Sequence, residues 1–258
     1  MAEAGRYLYA VCRAEASADV AEALTGVRGV ADAPVGVLDH AGLCAVVGDV
    51  DLAEFGEEGL RRNLEELAWV ERVARAHDHV VGVVTGVTTC APLRLVTICT
   101  DDASVRAKVD ERRDDLERTL ALLDGRVEHG VKAYAAEPGA TAAATGAGGE
   151  RTGTAYLMRR RQETAVREAA EQAAAEAADE VHAALAGLAV ASRRYPPQDR
   201  KLSGRTERMM LNGAYLVDRS ATPEVEQAVA ILAERHPQLE LELTGPWPPY
   251  SFAGGEGS

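Results

Sequence analysis

Residues 239–252, with the sequence LELELTGPWPPYSF, join the clearest strand pattern of the chain to its most unusual segment. Leucine alternates with glutamate or threonine over residues 239–244, which predicts a strand with one buried and one solvated face. Three prolines and three aromatic residues follow within residues 245–252. Each proline fixes its own φ and lacks an N–H donor, so the sequence predicts a stiff, extended tail that is neither a helix nor a central strand.

The aromatic side chains of this tail need a surface to cover. Aromatic residues make up only 4% of the chain, yet Trp247, Tyr250 and Phe252 lie within six positions of one another. Three exposed rings would form an adhesive patch. We therefore expect the tail to dock on its own chain, with Trp247 and Tyr250 covering apolar surface; docking on a partner protein is the alternative.

Upstream of this strand, the order of elements indicates a known architecture. Patterns typical of strands occupy residues 127–135, 190–195 and 209–217, and helical patterns begin near residues 155 and 222. Together with the last strand they give the order βαββαβ, which predicts a ferredoxin-like fold. Residues 137–153, EPGATAAATGAGGERTG, contain no core-forming side chains and are predicted to form a flexible loop.

The first half of the chain shows a looser version of the same order. A strand at residues 6–12 and a short helix precede a hairpin over residues 35–50, a long helix over 57–79, a strand over 92–100 and a helix over 101–125. We therefore predict an α+β protein of two domains. Residues 1–125 form a looser ferredoxin-like variant, residues 126–245 form the ferredoxin-like domain, and residues 246–258 form the extended tail.

Composition excludes several classes of function. The 258 residues carry a formal net charge of −13 and are 47% hydrophobic. A strongly acidic chain is a poor ligand for nucleic acid or for an anionic bilayer, because both need cationic surface. No apolar run approaches the ~20 residues of a membrane span. The first residues lack the basic and apolar regions of a signal peptide, so we expect a cytoplasmic protein.

No catalytic or metal-binding constellation is visible. Cys12, Cys44, Cys90 and Cys99 have no C-x-x-C spacing, so we expect buried, reduced thiols. His77 and His79 have no third metal ligand nearby and are interpreted as charges near a helix C-terminus. The glycines at 146–149 lack the ending of a phosphate loop, and no Ser or Cys lies in a Gly-x-Ser-x-Gly elbow. We therefore predict no cofactor, no metal and no enzymatic activity.

Three charged groups allow two interpretations each. Glu240 and Glu242 form a solvated strand face or an acid–base pair. The basic residues between Arg193 and Arg208 pair with carboxylates of the chain or contact RNA. Arg94, alone in an apolar strand, is predicted to be half buried in a structural ion pair, with a ligand contact as the alternative.

The tail and several strands resemble the gas vesicle protein F/L family (GvpF/GvpL). The motifs that carry the resemblance are MMLNGAYLVDR at 209–219, LTGPWPPYSF at 243–252, YLY at 7–9, GLCAVV at 42–47, PLR at 92–94 and EHGVK at 128–132. They are spread over nearly the whole chain. One departure is clear, because the family usually continues PLR with Phe-Gly-Thr and this chain has Leu95-Val96-Thr97.

The resemblance implies a non-enzymatic accessory protein of gas vesicle assembly. Such a protein binds the small hydrophobic shell protein and limits its aggregation while assembly starts, together with other gas vesicle accessory proteins. The residue patterns described above make Arg94, Trp247, Tyr250 and Phe252 the structural or interface candidates. The location implied by the resemblance is the gas vesicle and the cytoplasm. The alternative is a ligand-sensing or enzymatic domain on a ferredoxin-like scaffold, with its site near Arg94, since the fold alone does not determine function.

Overall fold

The chain folds into two compact units. The structure is a computed structural model that describes residues 3–136, 153–198, 205 and 207–254. Unit 1 comprises residues 1–128 and 247–258, and unit 2 comprises residues 129–246. The sequence-based boundaries were set at 125/126 and 245/246. The C-terminal segment, which the sequence treats as a separate tail, thus makes its contacts within unit 1.

Unit 1 is built on a four-stranded antiparallel sheet. Its strands are β1 (Ala4–Arg13), β2 (Val35–His40), β3 (Leu43–Asp51) and β4 (Cys90–Cys99), in the spatial order β2-β3-β1-β4. A two-residue turn joins β2 to β3, and both of its residues, Ala41 and Gly42, have positive φ values of 52° and 83°. This is the tight hairpin geometry that matches the twist of the flanking strands.

Helices cover both faces of this sheet. They are α1 (Ser17–Ala23), α2 (Leu52–Phe55), α3 (Glu57–Asn63), α4 (Leu67–Val87), α5 (Asp102–Glu111) and α6 (Arg113–Leu123). One core joins the α1 and α4 side chains to the sheet residues Tyr7, Tyr9 and Val46. A second core, on the opposite face, joins α5 and α6 to Leu8 and Val47. Burial on both faces explains the nearly continuous apolar runs of β1 and β3.

Unit 2 repeats the same strand order with fewer helices. The elements are β5 (Arg126–Ala135), α7 (Gly153–Leu188), β6 (Ala191–Arg194), β7 (Met209–Asp218), α8 (Thr222–Arg235) and β8 (Leu239–Trp247). The strand order is β6-β7-β5-β8. The predicted βαββαβ order and the two α+β domains are therefore confirmed. The first sheet also has the ferredoxin-like strand order. The looser variant predicted for residues 1–125 therefore differs from that fold only in its added helices.

The prediction of one long helix over residues 57–79 has the wrong bounds. The chain forms two helices, α3 and α4, separated by residues 64–66, and α4 continues to Val87. Leu64 and Leu67, which the predicted apolar stripe placed inside, are 49% and 80% exposed. The buried face of α4 instead begins at Trp69 and Val73, since the chain restarts its helix after residues 64–66. The helix predicted over 101–125 is likewise divided, between α5 and α6.

The structure departs from the predicted extended tail at Tyr250. β8 continues through Pro246 to Trp247, at the edge of its sheet, where a proline removes no ladder hydrogen bond. Residues Tyr250–Ala253 then form a single helical turn, α9. No proline lies inside this turn, so its N–H groups are free to bond, as Phe252 N does to the Pro249 carbonyl at 3.1 Å. Residues 137–152 of the loop predicted over 137–153 lie outside the described residues, and Gly153 is the first residue of α7.

Candidate functional site

The C-terminal segment 247–254 packs on unit 1. Its helical turn α9 contacts β4 and α6, and Phe252 and Ala253 are buried. Two predicted interface residues, Tyr250 and Phe252, therefore lie against the body of unit 1. The contacts that hold the segment are polar as well as apolar.

Glu128 holds the start of the helical turn. Its Oε2 atom accepts a hydrogen bond from the Ser251 backbone N–H at 2.8 Å, and its Oε1 atom accepts one from the Ser251 hydroxyl at 2.6 Å. The Glu128 side chain is buried, being only 9% exposed. Hydrogen bonds to an ionised carboxylate are about twice as strong as those between neutral groups. A buried carboxylate therefore fixes the position of the C-terminal segment.

Tyr250 packs on an aromatic cluster of the first core. Its ring centroid lies 5.9 Å from that of His77, and the His77 ring stacks at 5.6 Å on Tyr9. The Tyr250 hydroxyl donates a long hydrogen bond of 3.4 Å to Asp78. Burial, followed by the nearby Asp78 charge, raises the pKa of Tyr250, so the hydroxyl remains a donor at neutral pH. Tyr250 therefore contacts the core through its ring and Asp78 through its hydroxyl group.

His77 is a core residue and not a helix-end charge. It lies within α4 and is only 3% exposed, which corrects the sequence-based interpretation. Burial lowers the pKa of His77 to about 4, although the Asp78 charge and the Leu93 backbone act in the opposite direction. The neutral ring has its Nδ1 atom 3.0 Å from the Tyr7 hydroxyl, which itself accepts a hydrogen bond from Val96 N–H at 2.9 Å. Among the residues that the structure describes, none makes a hydrogen bond of normal geometry with the Nε2 atom.

Val96 has an unusual backbone conformation. Its φ is +61°, the left-handed region that a β-branched side chain strongly disfavours. It lies in a wide bulge of β4, since Thr97 pairs with Leu8 and Pro92 pairs with Ala10, leaving residues 93–96 opposite Tyr9 alone. In the family that the sequence resembles, the residue at the position of Val96 is usually glycine. The bulge explains that preference, because glycine adopts positive φ without steric cost.

The bulge also determines the position of Arg94. The Arg94 side chain is exposed where the strand leaves the regular ladder, and the structural ion pair expected for it stays a prediction. Its Nη2 atom would lie 3.8 Å from a Cβ placed on Gly254, so the guanidinium is beside the end of the C-terminal segment. Arg94 and the docked turn therefore share one side of unit 1.

Trp247 differs from the other two rings. It is 49% exposed, whereas Phe252 is 5% exposed. The structure thus brings Arg94, Tyr250 and Phe252 to one surface and leaves a large part of the indole in contact with solvent. Sequence reasoning missed Glu128, His77 and Ser251. Glu128 lies within the EHGVK motif, and this motif was the signal that the sequence offered.

Three arginines of unit 2 are paired with carboxylates of the same unit. Arg205 donates to Glu240 at 2.8 Å and to Glu242 at 3.4 Å, and its guanidinium lies 4.3 Å from the Tyr134 ring centroid. Arg194 pairs with Asp179 and Arg208 pairs with Glu171. Intramolecular pairing, the interpretation preferred over RNA contact, is confirmed for these arginines, whereas Arg200 and Lys201 lie outside the described residues. Glu240 and Glu242 are ion-pair partners on the strand face.

The described residues contain no group of three or more His, Cys, Asp or Glu side chains arranged to hold a metal ion. All four cysteines are buried and free, as predicted. Cys12 lies beside Cys44 and Cys90 in the strand register, and a hydrogen bond with Cys44, together with burial, raises the pKa of the Cys12 thiol. Among the helices that the structure describes, none is both long enough and apolar enough to cross a bilayer.

A family model described as "Gas vesicle synthesis protein GvpL/GvpF" matches residues 5–254. The chain belongs to this family. The match includes both units and the C-terminal segment, so the site around Glu128 and Tyr250 lies inside the region that the GvpL/GvpF family shares.

Two curated GvpL/GvpF relatives come from Streptomyces sp. (strain CB03234). Gas vesicle protein L is 41% identical over 233 residues, which are 89% of this chain and 86% of the relative. Gas vesicle protein F is 28% identical over 260 residues, which are 95% of this chain and 98% of the relative. Gas vesicle protein L1 of Halobacterium salinarum is 26% identical over 96% of this chain and 90% of that protein.

Solved structures of GvpF have the same fold. The crystal structure of GvpF from Anabaena sp. PCC7120 matches with a TM-score of 0.66 and 18% identity, covering 98% of both chains. GvpF from Microcystis aeruginosa matches with a TM-score of 0.62 and 17% identity, covering 97% of this chain and 99% of the other. The GvpL/GvpF family is a family of gas vesicle synthesis proteins, so this chain has a role in gas vesicle assembly.

Proposed function

We propose that this protein is an accessory factor of gas vesicle assembly that binds the hydrophobic shell protein and limits its aggregation while the vesicle is nucleated. The observation that carries the proposal is the family match over residues 5–254. The protein acts by covering apolar surface and makes no covalent bond. It works in the cytoplasm and at the gas vesicle, beside other gas vesicle accessory proteins.

The chain is proposed to be an L-type member of the family. It shares 41% identity with gas vesicle protein L of a Streptomyces strain and 28% with gas vesicle protein F of the same strain. Both relatives are covered over more than four fifths of their length. The difference in identity therefore concerns the whole chain and not a single shared segment.

Charge supplies the physical basis for limiting aggregation. Residues 1–125 contain 23 Asp and Glu against 13 Lys and Arg, and the whole chain carries −13. A complex between such a chain and an apolar subunit keeps a large net charge, and like-charged complexes repel one another. The apolar contact itself is proposed to include the surface of the C-terminal segment, where Trp247 is half exposed and Arg94 is exposed.

Co-expression with the gas vesicle shell protein tests the proposal. The fraction of shell protein that stays in the supernatant after centrifugation is measured with this chain and with an unrelated acidic protein of similar size and net charge. We expect a soluble complex only with this chain. Equal pelleting of the shell protein in both cases would contradict the proposal, because this chain would then keep no more shell protein in solution than an unrelated acidic protein does.

A further inference from the structure

The sheet of unit 1 has one edge whose backbone groups are open. Helices cover both of its faces, and the C-terminal turn α9 packs beside the edge strand β4. The opposite edge is β2, which pairs only with β3 among the described strands. An edge strand presents a row of N–H and C=O groups to a further strand. Strand addition at such an edge is a recurrent mode of peptide recognition.

The hairpin geometry identifies the outward-facing groups of β2. The tight two-residue turn makes His40 and Leu43 the closing, hydrogen-bonded pair. Hydrogen-bonded and non-hydrogen-bonded pairs then alternate along the ladder, so the N–H and C=O groups of Val37 and Asp39 point away from β3. No hydrogen bond joins these backbone groups to any residue that the structure describes.

A shallow groove lies beside this edge. It has a volume of about 230 Å³, and Gly36, Leu38 and Val47 contribute to its apolar lining. A Cβ atom added to Gly36 would meet nothing within 4 Å, so the surface above this residue is open. In an added strand, alternate side chains would point toward this face. The groove therefore receives apolar side chains from a segment that pairs with β2.

The rim of the groove is acidic. Arg6 pairs with Asp49 and with Asp102, both of which line the groove, so the carboxylates outnumber the cation. This charge favours a basic residue on the incoming segment and disfavours an acidic one.

We propose that the β2 edge and its groove bind an extended, apolar segment of the gas vesicle shell protein that carries a basic residue beside its apolar side chains. This inference rests on the proposed function and names a second surface for it, at the sheet edge opposite the C-terminal segment. The segment adds a fifth strand to the sheet, with its backbone bonded at Val37 and Asp39 and its apolar side chains over Gly36.

Two substitutions block this surface in different ways. Gly36→Lys fills the groove with a charged side chain and meets no neighbouring atom at its Cβ position. Asp39→Pro removes an outward N–H donor and leaves the β2–β3 ladder intact. Gly86→Lys in α4 is the matched control, since Gly86 is exposed and also has open space at its Cβ position. Thermal melts of the full chain establish that each variant is folded.

The shell protein co-purified with each full-length variant is the readout. We expect Gly36→Lys and Asp39→Pro to retain about tenfold less shell protein than the wild type, the change that one lost anchor produces, with Gly86→Lys unchanged. Unchanged retention by both blocking variants would overturn the edge site and leave the proposed function standing. No retention by the wild type would overturn both. A wild-type dimer that Gly36→Lys converts to a monomer, with shell protein still retained, would assign the edge to a second copy and overturn the inference.

Discussion

Glu128 accepts two hydrogen bonds from Ser251, one from its backbone N–H at 2.8 Å and one from its hydroxyl at 2.6 Å. These residues are 123 positions apart in sequence and belong to the same compact unit. The contact ties the C-terminal segment to the strand on which unit 1 ends. It is the most strongly charge-assisted contact described for this segment, and its removal has a measurable cost.

Replacement of the Glu128 carboxylate is expected to destabilise the protein. Glu128→Gln keeps the shape but substitutes an amide for the charged acceptor, and a hydrogen bond to a charged group contributes about 1.5–3 kcal/mol. We expect the free energy of unfolding, measured by urea denaturation, to fall by about 2 kcal/mol.

An exposed glutamate provides the control for this change. Glu117→Gln removes a solvent-exposed partner of Arg113 and is expected to cost less than about 0.5 kcal/mol. Ser251→Ala combined with Glu128→Gln completes a double-mutant cycle. Strictly additive effects would contradict a direct interaction, because coupled partners show non-additive costs.

Val96 is expected to reverse the usual ranking of glycine and alanine. At ordinary positions alanine is more stable than glycine by about 0.5–1 kcal/mol. At φ +61° an L-residue carries a penalty of about 1–2 kcal/mol that glycine lacks. Val96→Gly is therefore expected to have a higher melting temperature than Val96→Ala, although both lose the valine side chain.

Val37 supplies the matched pair for this comparison. It is a partly buried valine of the same sheet with no positive φ. There, Val37→Ala is expected to be more stable than Val37→Gly. If alanine ranked above glycine at both positions, the left-handed conformation of Val96 would not be a source of strain.

His77 is expected to make stability depend on pH. Its pKa is lowered from 6.5 to about 4 in the folded protein, so the unfolded chain binds the additional proton between these values. Stability attributable to His77 is therefore complete above pH 6.5 and falls as the pH decreases toward 4. Between pH 7.5 and 5.5 the expected loss is about 1.4 kcal/mol, measured by urea denaturation at both pH values.

The His77→Gln variant isolates this contribution from those of the other histidines. Burial also lowers the pKa of His129 and His182, so part of the pH dependence remains in the variant. We expect the loss between pH 7.5 and 5.5 to be about 1.4 kcal/mol smaller in His77→Gln than in the wild type. Identical losses in the two proteins would show that His77 titrates normally.

We expect the Trp247 side chain to contribute more to retention of the shell protein than to the stability of the fold. Its side chain is 49% exposed, so Trp247→Ala removes at most about half of a buried aromatic contribution, or roughly 2 kcal/mol. If the proposed function is correct, the variant retains less shell protein in the co-expression assay while its melt remains cooperative. Tyr195→Ala, which alters a 39% exposed ring in unit 2, is the matched control. Equal retention by both variants would remove Trp247 from the interface.

The errors of the sequence analysis have identifiable physical causes. Leu64 and Leu67 continue an apolar stripe with Val70 and yet are exposed, because helical periodicity does not reveal where a chain breaks and restarts a helix. Arg94 interrupts an apolar strand, and only the pairing of β4 with β1 shows that the interruption is a bulge. His77 has a neighbour, His79, that suggested a charged helix end, whereas its burial depends on Tyr7, Tyr9 and Tyr250, which are distant in sequence.

The sequence by itself determined the alternation of residues 239–244, the βαββαβ order, the excess of acidic residues and the motifs of the GvpL/GvpF family. These properties are local or additive, so they can be read along the chain without knowledge of long-range contacts. Only the tertiary structure decided that Glu128 would hold Ser251, that Val96 would have a positive φ, and that β2 would remain an open edge. Each of these depends on strand register and on pairs of residues far apart in sequence, whose meeting no local pattern specifies.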